Sequence, residues 1–478
     1  MIKIIIGKNK ILKVDTIIRM IISVFSIFVA LYMSENTDNA GYNYYFLVPL
    51  GYGFLILFNK AKFSDFSRPG ILMLNYTMLI KYSLMPFISC MGGYYSWLGT
   101  FPEKNDINMA IIFTIIEMFA IMVTINILEK KYEKHIDEEL QSKNSKEMKH
   151  ILIHVIMVVL AVLVIVFVPA TISDYRFIFN SNNLDVTIKV DFQLSGIFKT
   201  IVIFGRYALV LIIINYFYKK NKKKRSTLNI VGAFIPVILN TLYISNLGRI
   251  GILVPVLTFS IVIFQIFNTK KERKKIIKML VVILLTSITF LSMVKFFGKG
   301  RGNENRANDI GWWGDTLNMY FSGIKETAIG VKNKKLIDEV YGGNKLGLFF
   351  NDILSNVIGL SNFTNNKINS TKLYNFTYFS SSISTSQIVP NIIEGYYYFG
   401  SIFSFVWPIT FLYFIYYFER KSKLATTIDL KFAYIYASIY CGMVLMINSS
   451  MIICNITNVT ILFVIISMIN NKFIVKNK

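Results

Sequence analysis

Most of the chain consists of apolar stretches long enough to cross a membrane as helices. A stretch of about 20 apolar residues spans the hydrocarbon core of a bilayer. Only 16% of the 478 residues are charged and 54% are hydrophobic, whereas soluble proteins carry about 25% charged residues. We therefore expect an all-α polytopic membrane protein with about 12 transmembrane helices. The predicted spans are 16–33, 43–58, 70–90, 107–128, 150–169, 197–217, 227–245, 251–268, 277–297, 400–418, 430–447 and 452–470.

Positive charge lies between these spans and predicts the topology. The net charge is +24, and the densest basic runs are 219–225 and 270–278. Loop 34–42 contains no Lys or Arg. Because cytoplasmic loops are enriched in Lys and Arg, the alternation of rich and poor loops places both termini in the cytoplasm. This placement argues against nucleic acid as a partner and allows contact with membrane lipids.

One segment interrupts the pattern of spans. Residues 299–399 follow the ninth predicted span and carry ten Lys or Arg against eight Asp or Glu. The topology makes this segment one large extracytoplasmic loop, and its apolar content predicts two or three short helices. We therefore divide the chain into helices 1–9 (residues 1–298), the large loop (residues 299–399) and helices 10–12 (residues 400–478).

Charged residues within the predicted spans are candidate functional groups. A charge in the hydrocarbon core costs several kcal/mol unless it is paired or faces a cavity. Lys81 and Glu117 lie near the middle of neighbouring spans and are expected either to pair or to bind a substrate. Lys199 and Lys295 lie near span ends, where the ammonium group can reach the interface. The predicted loop 129–150 mixes lysines and acids and is expected to extend a helix into the cytoplasm.

Two arginines are stronger candidates for a ligand site. Arg206 follows Gly205 within the sixth span, and Arg249 lies in the glycine-containing link between the seventh and eighth. The guanidinium group binds phosphate or diphosphate through two parallel hydrogen bonds. The alternative is an arginine paired with a carboxylate or a lipid headgroup. Arg301 and Arg306 add further cations at the start of the large loop.

The end of the large loop combines an acid with aromatic residues. Glu394 is followed by a glycine and then by Tyr396, Tyr397 and Tyr398. Aromatic faces can stack on sugar rings, and the carboxylate can orient or deprotonate a hydroxyl. The alternative is an interfacial aromatic belt at the start of the tenth span. Asp315, which follows two tryptophans and a glycine, is a weaker example of the same pattern.

Several kinds of chemistry have no signature in the chain. There is no phosphate-binding glycine loop, dinucleotide fingerprint or zinc-binding helix motif. The three cysteines, Cys90, Cys441 and Cys454, have no paired spacing, and there are only three histidines. We therefore expect no disulfide framework, metal site or cofactor.

In these features the chain resembles bacterial O-antigen and capsular polysaccharide repeat-unit polymerases of the Wzy type. The likeness is carried by the Gly248-Arg249 link, by the large loop with Gly-Asp-Thr-Leu-Asn-Met-Tyr-Phe-Ser-Gly at 314–323, and by Glu-Gly-Tyr-Tyr-Tyr-Phe-Gly at 394–400. The architecture extends over the whole chain. Outer histidines, which the related O-antigen ligases use, are absent, so the ligase alternative is disfavoured.

The resemblance implies a GT-C-like integral membrane glycosyltransferase in the bacterial cytoplasmic membrane. Its substrates would be oligosaccharide repeat units linked to undecaprenyl diphosphate, and it would need no cofactor. Arg249, Arg206, Arg176 and Arg301 would stabilise the leaving diphosphate, and Glu394 would align the acceptor hydroxyl. A flippase and a chain-length regulator of the same pathway are possible partners.

Other functions remain open at this point. Helices with both termini inside also describe transporters, including flippases for the same lipid-linked units. Transporters usually contain two similar halves, whereas a long loop after the ninth span breaks a division into two sets of six. A ligase-like transferase and a non-enzymatic scaffold are the remaining alternatives.

Overall fold

The computed structural model shows two compact units built almost entirely of helices. The strands in the part of the chain it describes are short, with three or four residues each. The described residues are 3–6, 10–36, 41–96, 99–139, 147–148, 150–172, 175–177, 195–241, 243–245, 250–267, 269, 271–280, 309–355, 357, 359–360, 363–365, 368–380 and 387–475.

The first unit contains Met1–Glu138, Asn305–Tyr417 and Ser438–Cys454. It begins with an antiparallel ribbon of β1 (Lys3–Ile6) and β2 (Lys10–Lys13). Its first helices are α1 (Val14–Glu35), α2 (Leu47–Phe58), α3 (Pro69–Leu79), α4 (Met85–Met91) and α5 (Lys104–Glu139).

The second unit contains Glu139–Glu304, Phe418–Ala437 and Asn455–Lys478. The strands β3 (Tyr175–Phe177) and β4 (Tyr243–Ser245) pair antiparallel within it. Its first helices are α6 (Leu152–Phe167), α7 (Ser195–Lys223), α8 (Thr227–Thr241), α9 (Ile250–Ile266) and α10, described over 271–280.

The remaining helices follow the first two groups in the chain. The first unit contains α11 (Ile310–Tyr320), α12 (Ile324–Tyr341), α13 (Lys345–Leu354), α14 (Ser370–Phe379) and α15 (Asn391–Phe399). Residues of both units occur in α16 (Val406–Leu424), α17 (Ile428–Gly442) and α18 (Ser449–Asn455). The last helix, α19 (Leu462–Val475), belongs to the second unit.

Five described helical segments are long and apolar enough to cross a membrane: Val14–Glu35, Pro69–Met91, Lys104–Tyr132, Gly196–Lys223 and Ser449–Asn470. Four further apolar helices have 10–17 residues. These lengths and compositions fit a helical membrane protein. The count of about 12 spans and the cytoplasmic termini stay predictions. Most of the ninth predicted span, 277–297, lies outside the described residues.

The outward face of α1 is apolar, as expected of a helix in lipid. Ile21, Phe28 and Leu31 are each more than half exposed, while Val29 and Met33 on the other face are fully buried. In water such a stripe would be a large exposed apolar patch, which soluble monomers rarely carry. Its position on a helix of 22 residues is consistent with contact to hydrocarbon chains.

A π-helical turn, Ile80–Leu84, joins α3 to α4 and contains Lys81. The Lys81 ammonium lies 2.6 Å from Glu117 Oε2, and both side chains are 1% exposed. The hydroxyl of Tyr82 donates to the same carboxylate oxygen at 3.0 Å. The structure therefore confirms that Lys81 and Glu117 pair. A second π-helical segment, Ile456–Ile461, joins α18 to α19.

The segment after the ninth predicted span differs from the expectation in its number of helices. Its described part contains five helices, α11 to α15, rather than two or three. Residues 305–417 belong to the same compact unit as residues 1–138, and the division by topology at 298 and 399 stays a prediction. Helix α5 continues to Glu139, which confirms the helical extension beyond the fourth span.

Candidate functional site

Helix α11 is held against α4 by glycines. A Cβ atom added to Gly92 would lie 2.4 Å from the Gly311 Cα, so only the absence of side chains allows this approach. A Cβ atom on Gly314 would lie 3.0 Å from the Cα of Ser89, whose hydroxyl oxygen accepts a hydrogen bond from Asn318 Nδ2 at 2.9 Å. This packing fixes the helix that carries Asp315.

The turn between α11 and α12 positions a lysine beside that aspartate. Ser322 adopts a left-handed conformation with φ of 48°, which is costly for a residue with a side chain. Lys325, in the first turn of α12, then reaches Asp315, with 2.7 Å between Nζ and Oδ1. Both side chains are less than 5% exposed. A buried ion pair of this kind must be well hydrogen-bonded to offset its desolvation.

Glu326 lies next to this pair and is held by two tyrosines. The Tyr374 hydroxyl donates to Glu326 Oε2 at 2.8 Å, and the Tyr378 hydroxyl donates to Oε1 at 3.3 Å. The two tyrosines are four residues apart on α14, which places them on one face of the helix. Burial raises the pKa of Glu326 to about 7, although Lys325 and the tyrosines oppose this shift.

A small cavity opens beside Asp315. Its volume is about 10 Å³, which is room for about one water molecule. The hydroxyl of Tyr45 is buried in its wall and has no hydrogen-bond partner among the described residues. The cavity is lined by Tyr42, Tyr45, Ser89, Tyr94, Tyr95, Gly311, Asp315, Asn318 and Lys325.

The tyrosine wall of this cavity contains a stacked ring pair and one strained backbone position. The rings of Tyr42 and Tyr94 stack with centroids 4.3 Å apart and planes 5° from parallel. Tyr94 has a φ of 55°, which is an outlier for a bulky residue. Strained backbone is concentrated at functional sites, where surrounding contacts maintain it. Here Tyr94 and Ser322, two of the described non-glycine residues with positive φ, both border the Asp315–Lys325 pair or its cavity.

This arrangement can bind a hydroxyl group. A carboxylate accepts a hydroxyl proton, Lys325 balances the carboxylate charge, and Tyr45 can donate to or accept from the same hydroxyl. The cavity has room for a hydroxyl oxygen in place of a water. Among the predicted substrate-binding residues in the described part of the chain, Asp315 is the one that borders this cavity.

Glu394, predicted to align the acceptor, has a different environment. It is 1% exposed, and its Oε2 accepts a hydrogen bond at 3.0 Å from the amide of Ser449, the first residue of α18. A carboxylate at this position satisfies an amide that the helix leaves unbonded. Burial raises the pKa of Glu394 to about 8, and the Ser449 hydrogen bonds oppose the shift.

The glycine after Glu394 also has a packing role. A Cβ atom on Gly395 would lie 2.0 Å from the Ser404 carbonyl oxygen. Asp352 makes the same kind of contact with a helix N-terminus, because its Oδ1 accepts a hydrogen bond from the amide of Ser370 at the start of α14. Burial raises the pKa of Asp352 to about 6. These contacts give the acidic and glycine positions of this region structural roles.

The three tyrosines predicted to stack on sugars are not equivalent. The Tyr397 hydroxyl donates to the Gly330 carbonyl at 2.8 Å, and the Tyr398 hydroxyl donates to Asp352 at 2.7 Å. Both rings are buried. Tyr396 is partly exposed, with its ring centroid 4.9 Å from that of Phe113. Of these three residues, Tyr396 is the one with ring surface available for a ligand.

The predicted arginines lie in the second unit or outside the described residues. The backbone of Arg176 belongs to β3 and pairs with Ile244 of β4. Arg206 lies on α7, where it lines an apolar groove. The side chain of Arg176 and all of Arg249, Arg301 and Arg306 lie outside the described residues.

The elevated pKa of Glu326 predicts a pH dependence of stability. The folded protein keeps this proton up to a pH of about 7, whereas the ordinary pKa is 4.5. The stabilisation is therefore complete below pH 4.5, falls as the pH rises from 4.5 to about 7, and is lost above that pH. The side chain of Glu326→Gln stays neutral. The free energy of unfolding of this variant, relative to that of the native protein, should therefore rise by about 2–3 kcal/mol from pH 5 to pH 8. Thermal unfolding at both pH values measures this difference.

Glu339→Gln is the matched control, because Glu339 lies exposed on the same helix. This variant shows how far the loss of an exposed carboxyl group on the same helix alters the pH dependence of stability. Equal pH dependence of the two variants would contradict the assignment of a buried proton to Glu326.

Several residues of the site were not singled out from the sequence, namely Lys325, Glu326, Tyr42, Tyr45 and Tyr94. A weak signal existed, because tyrosines occur at 42, 44, 45, 94 and 95, next to the ends of adjacent predicted spans. The pairing of Lys325 with Asp315 follows from the turn at Ser322, which the residue pattern alone does not specify.

No metal site is evident in the described part of the chain, where no group of three or more His, Cys, Asp or Glu could hold an ion. Comparisons of the chain with protein-family models, with curated proteins and with solved structures gave no significant match.

Proposed function

We propose that this protein polymerises polyprenyl-diphosphate-linked oligosaccharide repeat units at the outer face of a bacterial cytoplasmic membrane. The observation that carries the proposal is the polar cavity beside Asp315, in a folded segment that follows the predicted spans. A carboxylate beside a cavity with room for one hydroxyl oxygen fits the requirement of a glycosyl acceptor. The type of reaction is inferred from the resemblance of the sequence to repeat-unit polymerases.

In this reaction an acceptor hydroxyl attacks the anomeric carbon of the donor glycan. The new carbon–oxygen bond forms as the bond to the diphosphate breaks, and the electron pair leaves with polyprenyl diphosphate. Asp315 accepts the hydroxyl proton as general base, and Lys325 holds the carboxylate in place through the 2.7 Å contact. Asp315 replaces Glu394 in this role, because Asp315 borders a cavity, whereas Glu394 Oε2 accepts the amide of Ser449.

The diphosphate that leaves carries the developing negative charge. Arginines stabilise such charge by fixed hydrogen bonds, and Arg249, Arg206, Arg176 and Arg301 remain the candidates. The pairing of β3 with β4 supports part of this set, because it brings the backbone of Arg176 next to the strand that ends at Ser245. Arg249 follows this strand by four residues.

Deletion of the gene in its host tests the function. A polymerase defect should leave surface glycan with a single repeat unit and no ladder of longer products, and the intact gene should restore the ladder. Gel separation of surface glycan by size measures this result. A normal ladder in the deletion strain would exclude the proposal.

One observation favours a transporter as the second candidate. Charged residues within membranes often mark ion or proton pathways, and π-helical turns are frequent at functional sites. Lys81 of the buried Lys81–Glu117 pair lies on such a turn. If the protein were a flippase for the same lipid-linked units, deletion would remove all surface glycan and these units would accumulate on the cytoplasmic side.

A further inference from the structure

An apolar groove runs along the second unit between α6, α7 and α8. It has a volume of about 480 Å³. Aliphatic side chains form most of its wall, including Val158, Ile213 and Leu209. Two polar residues line it as well, Arg206 on α7 and Asn240 on α8. An otherwise apolar site with a few placed polar groups is the usual composition of a small-molecule site.

Local packing shapes the groove. A Cβ atom on Gly205 would lie 2.2 Å from the Cβ of Ala161, so α6 and α7 are in close contact beside Arg206. The rim residues Val162, Leu209 and Leu239 are each about half exposed. The groove is therefore open along its side, at a surface that is apolar.

Arg206 lies well within the length of α7. At 1.5 Å per residue the 29-residue helix is about 43 Å long, and Arg206 is about 16 Å from Ser195. Both ends of the helix lie near the headgroups if it crosses a bilayer about 40–45 Å thick. The guanidinium group then lies below the headgroups, where an anionic ligand would stabilise it.

Asn240 is a second, independent indication of a ligand. It is 5% exposed, and its side-chain oxygen has no hydrogen-bond partner among the described residues. Buried polar atoms almost always have a partner, from protein or from a bound molecule. Rotation of the amide can present either its oxygen or its nitrogen to a ligand.

We propose that the groove binds the hydrocarbon chain of a polyprenyl phosphate lipid, with the phosphate on Arg206 and Asn240. A phospholipid is a poorer fit, since its glycerol and second chain hold the phosphate at the interface. A lipid with one chain attached directly to its phosphate can enter the side of the groove. This assignment rests on the proposed function and names the place where the lipid end of the donor binds.

Binding of radiolabelled polyprenyl phosphate to the purified full-length protein in lipid nanodiscs tests the assignment. Leu209→Trp fills the groove and should weaken binding at least about tenfold. Leu160→Trp is the matched control, because Leu160 is an equally exposed leucine on α6 outside the groove. It should bind like the native protein. Arg206→Gln should weaken binding of the phosphate but not of the neutral polyprenol.

Native binding by Leu209→Trp would overturn the assignment, as would equal competition from phosphatidic acid, which carries two chains on a phosphate monoester. The result is separable from the function test. If deletion of the gene leaves the glycan ladder normal but Leu209→Trp abolishes lipid binding, the polymerase proposal is wrong and the assignment of the groove as a lipid site is supported. If deletion removes the ladder and Leu209→Trp binds normally, the groove assignment fails alone.

Discussion

Asp315→Asn should reduce polymer formation by about 100-fold or more, because general-base groups contribute about 10²–10⁴ to rates. The amide keeps the size of the carboxylate but cannot take the acceptor proton. The measurement is the length distribution of surface glycan in a deletion strain that carries the variant gene. Because this substitution also leaves the buried Lys325 without its carboxylate, the amount of protein in the membrane is measured in the same cells.

Asp338→Asn is the matched control on the same segment. Asp338 is half exposed and pairs with Lys334 on the surface of α12, so its replacement should leave the glycan ladder unchanged. If both variants produce a normal ladder, Asp315 is not the base.

Tyr45→Phe separates catalysis from stability at the same cavity. The Tyr45 hydroxyl has no partner among the described residues, and removing a buried group of this kind should not destabilise the fold. If it contacts the acceptor, activity should fall about threefold to tenfold, the value of one hydrogen bond. Full activity in this variant would show that the cavity does not bind the acceptor.

Arg68→Met should destabilise the protein by about 3–5 kcal/mol, because it leaves the buried carboxylate of Glu129 without its cation. Arg68 Nη1 lies 2.6 Å from Glu129 Oε1, and both side chains are about 5% exposed. Its guanidinium also lies 4.1 Å from the ring centre of Tyr132 and 5.0 Å from that of Tyr416. Thermal unfolding of the purified protein in detergent measures the loss.

Two further variants define the cause. Lys222→Met breaks an exposed ion pair with Glu147, 51% and 31% exposed, and should cost less than about 1 kcal/mol. The double variant Arg68→Met with Glu129→Met removes both charges and should recover much of the stability. Equal unfolding temperatures for Arg68→Met and Lys222→Met would contradict a dominant role for the buried pair.

Some features of the fold could be anticipated from the residue pattern. Lys81 and Glu117 lie at similar depths in neighbouring predicted spans, and a charge at such a depth needs a partner. The sequence left open whether the two residues pair with each other or bind a substrate, and the structure shows that they pair at 2.6 Å. The continuation of α5 to Glu139 could be predicted for a different reason, because helix formation depends on nearby residues.

The roles of Glu394 and Asp315 could not be separated in advance. Both are acids next to glycine and aromatic residues, and the local pattern treats them alike. Glu394 meets Ser449, 55 residues away, at a helix N-terminus. Asp315 meets Lys325 across a strained turn and faces a cavity. The polar group that a buried acid contacts depends on which helices pack beside it. That packing is determined by residues far away in the sequence.

The sequence alone determined that this chain forms apolar helices of membrane-spanning length, because transfer from water to hydrocarbon is a sum over neighbouring residues. Only the tertiary structure decided which buried charges are paired, which carboxylates bind helix ends and which one borders a cavity. Each buried polar group must find a partner to offset its desolvation. That partner comes from whichever distant helix packs beside it, as Lys325 does for Asp315 and Ser449 does for Glu394.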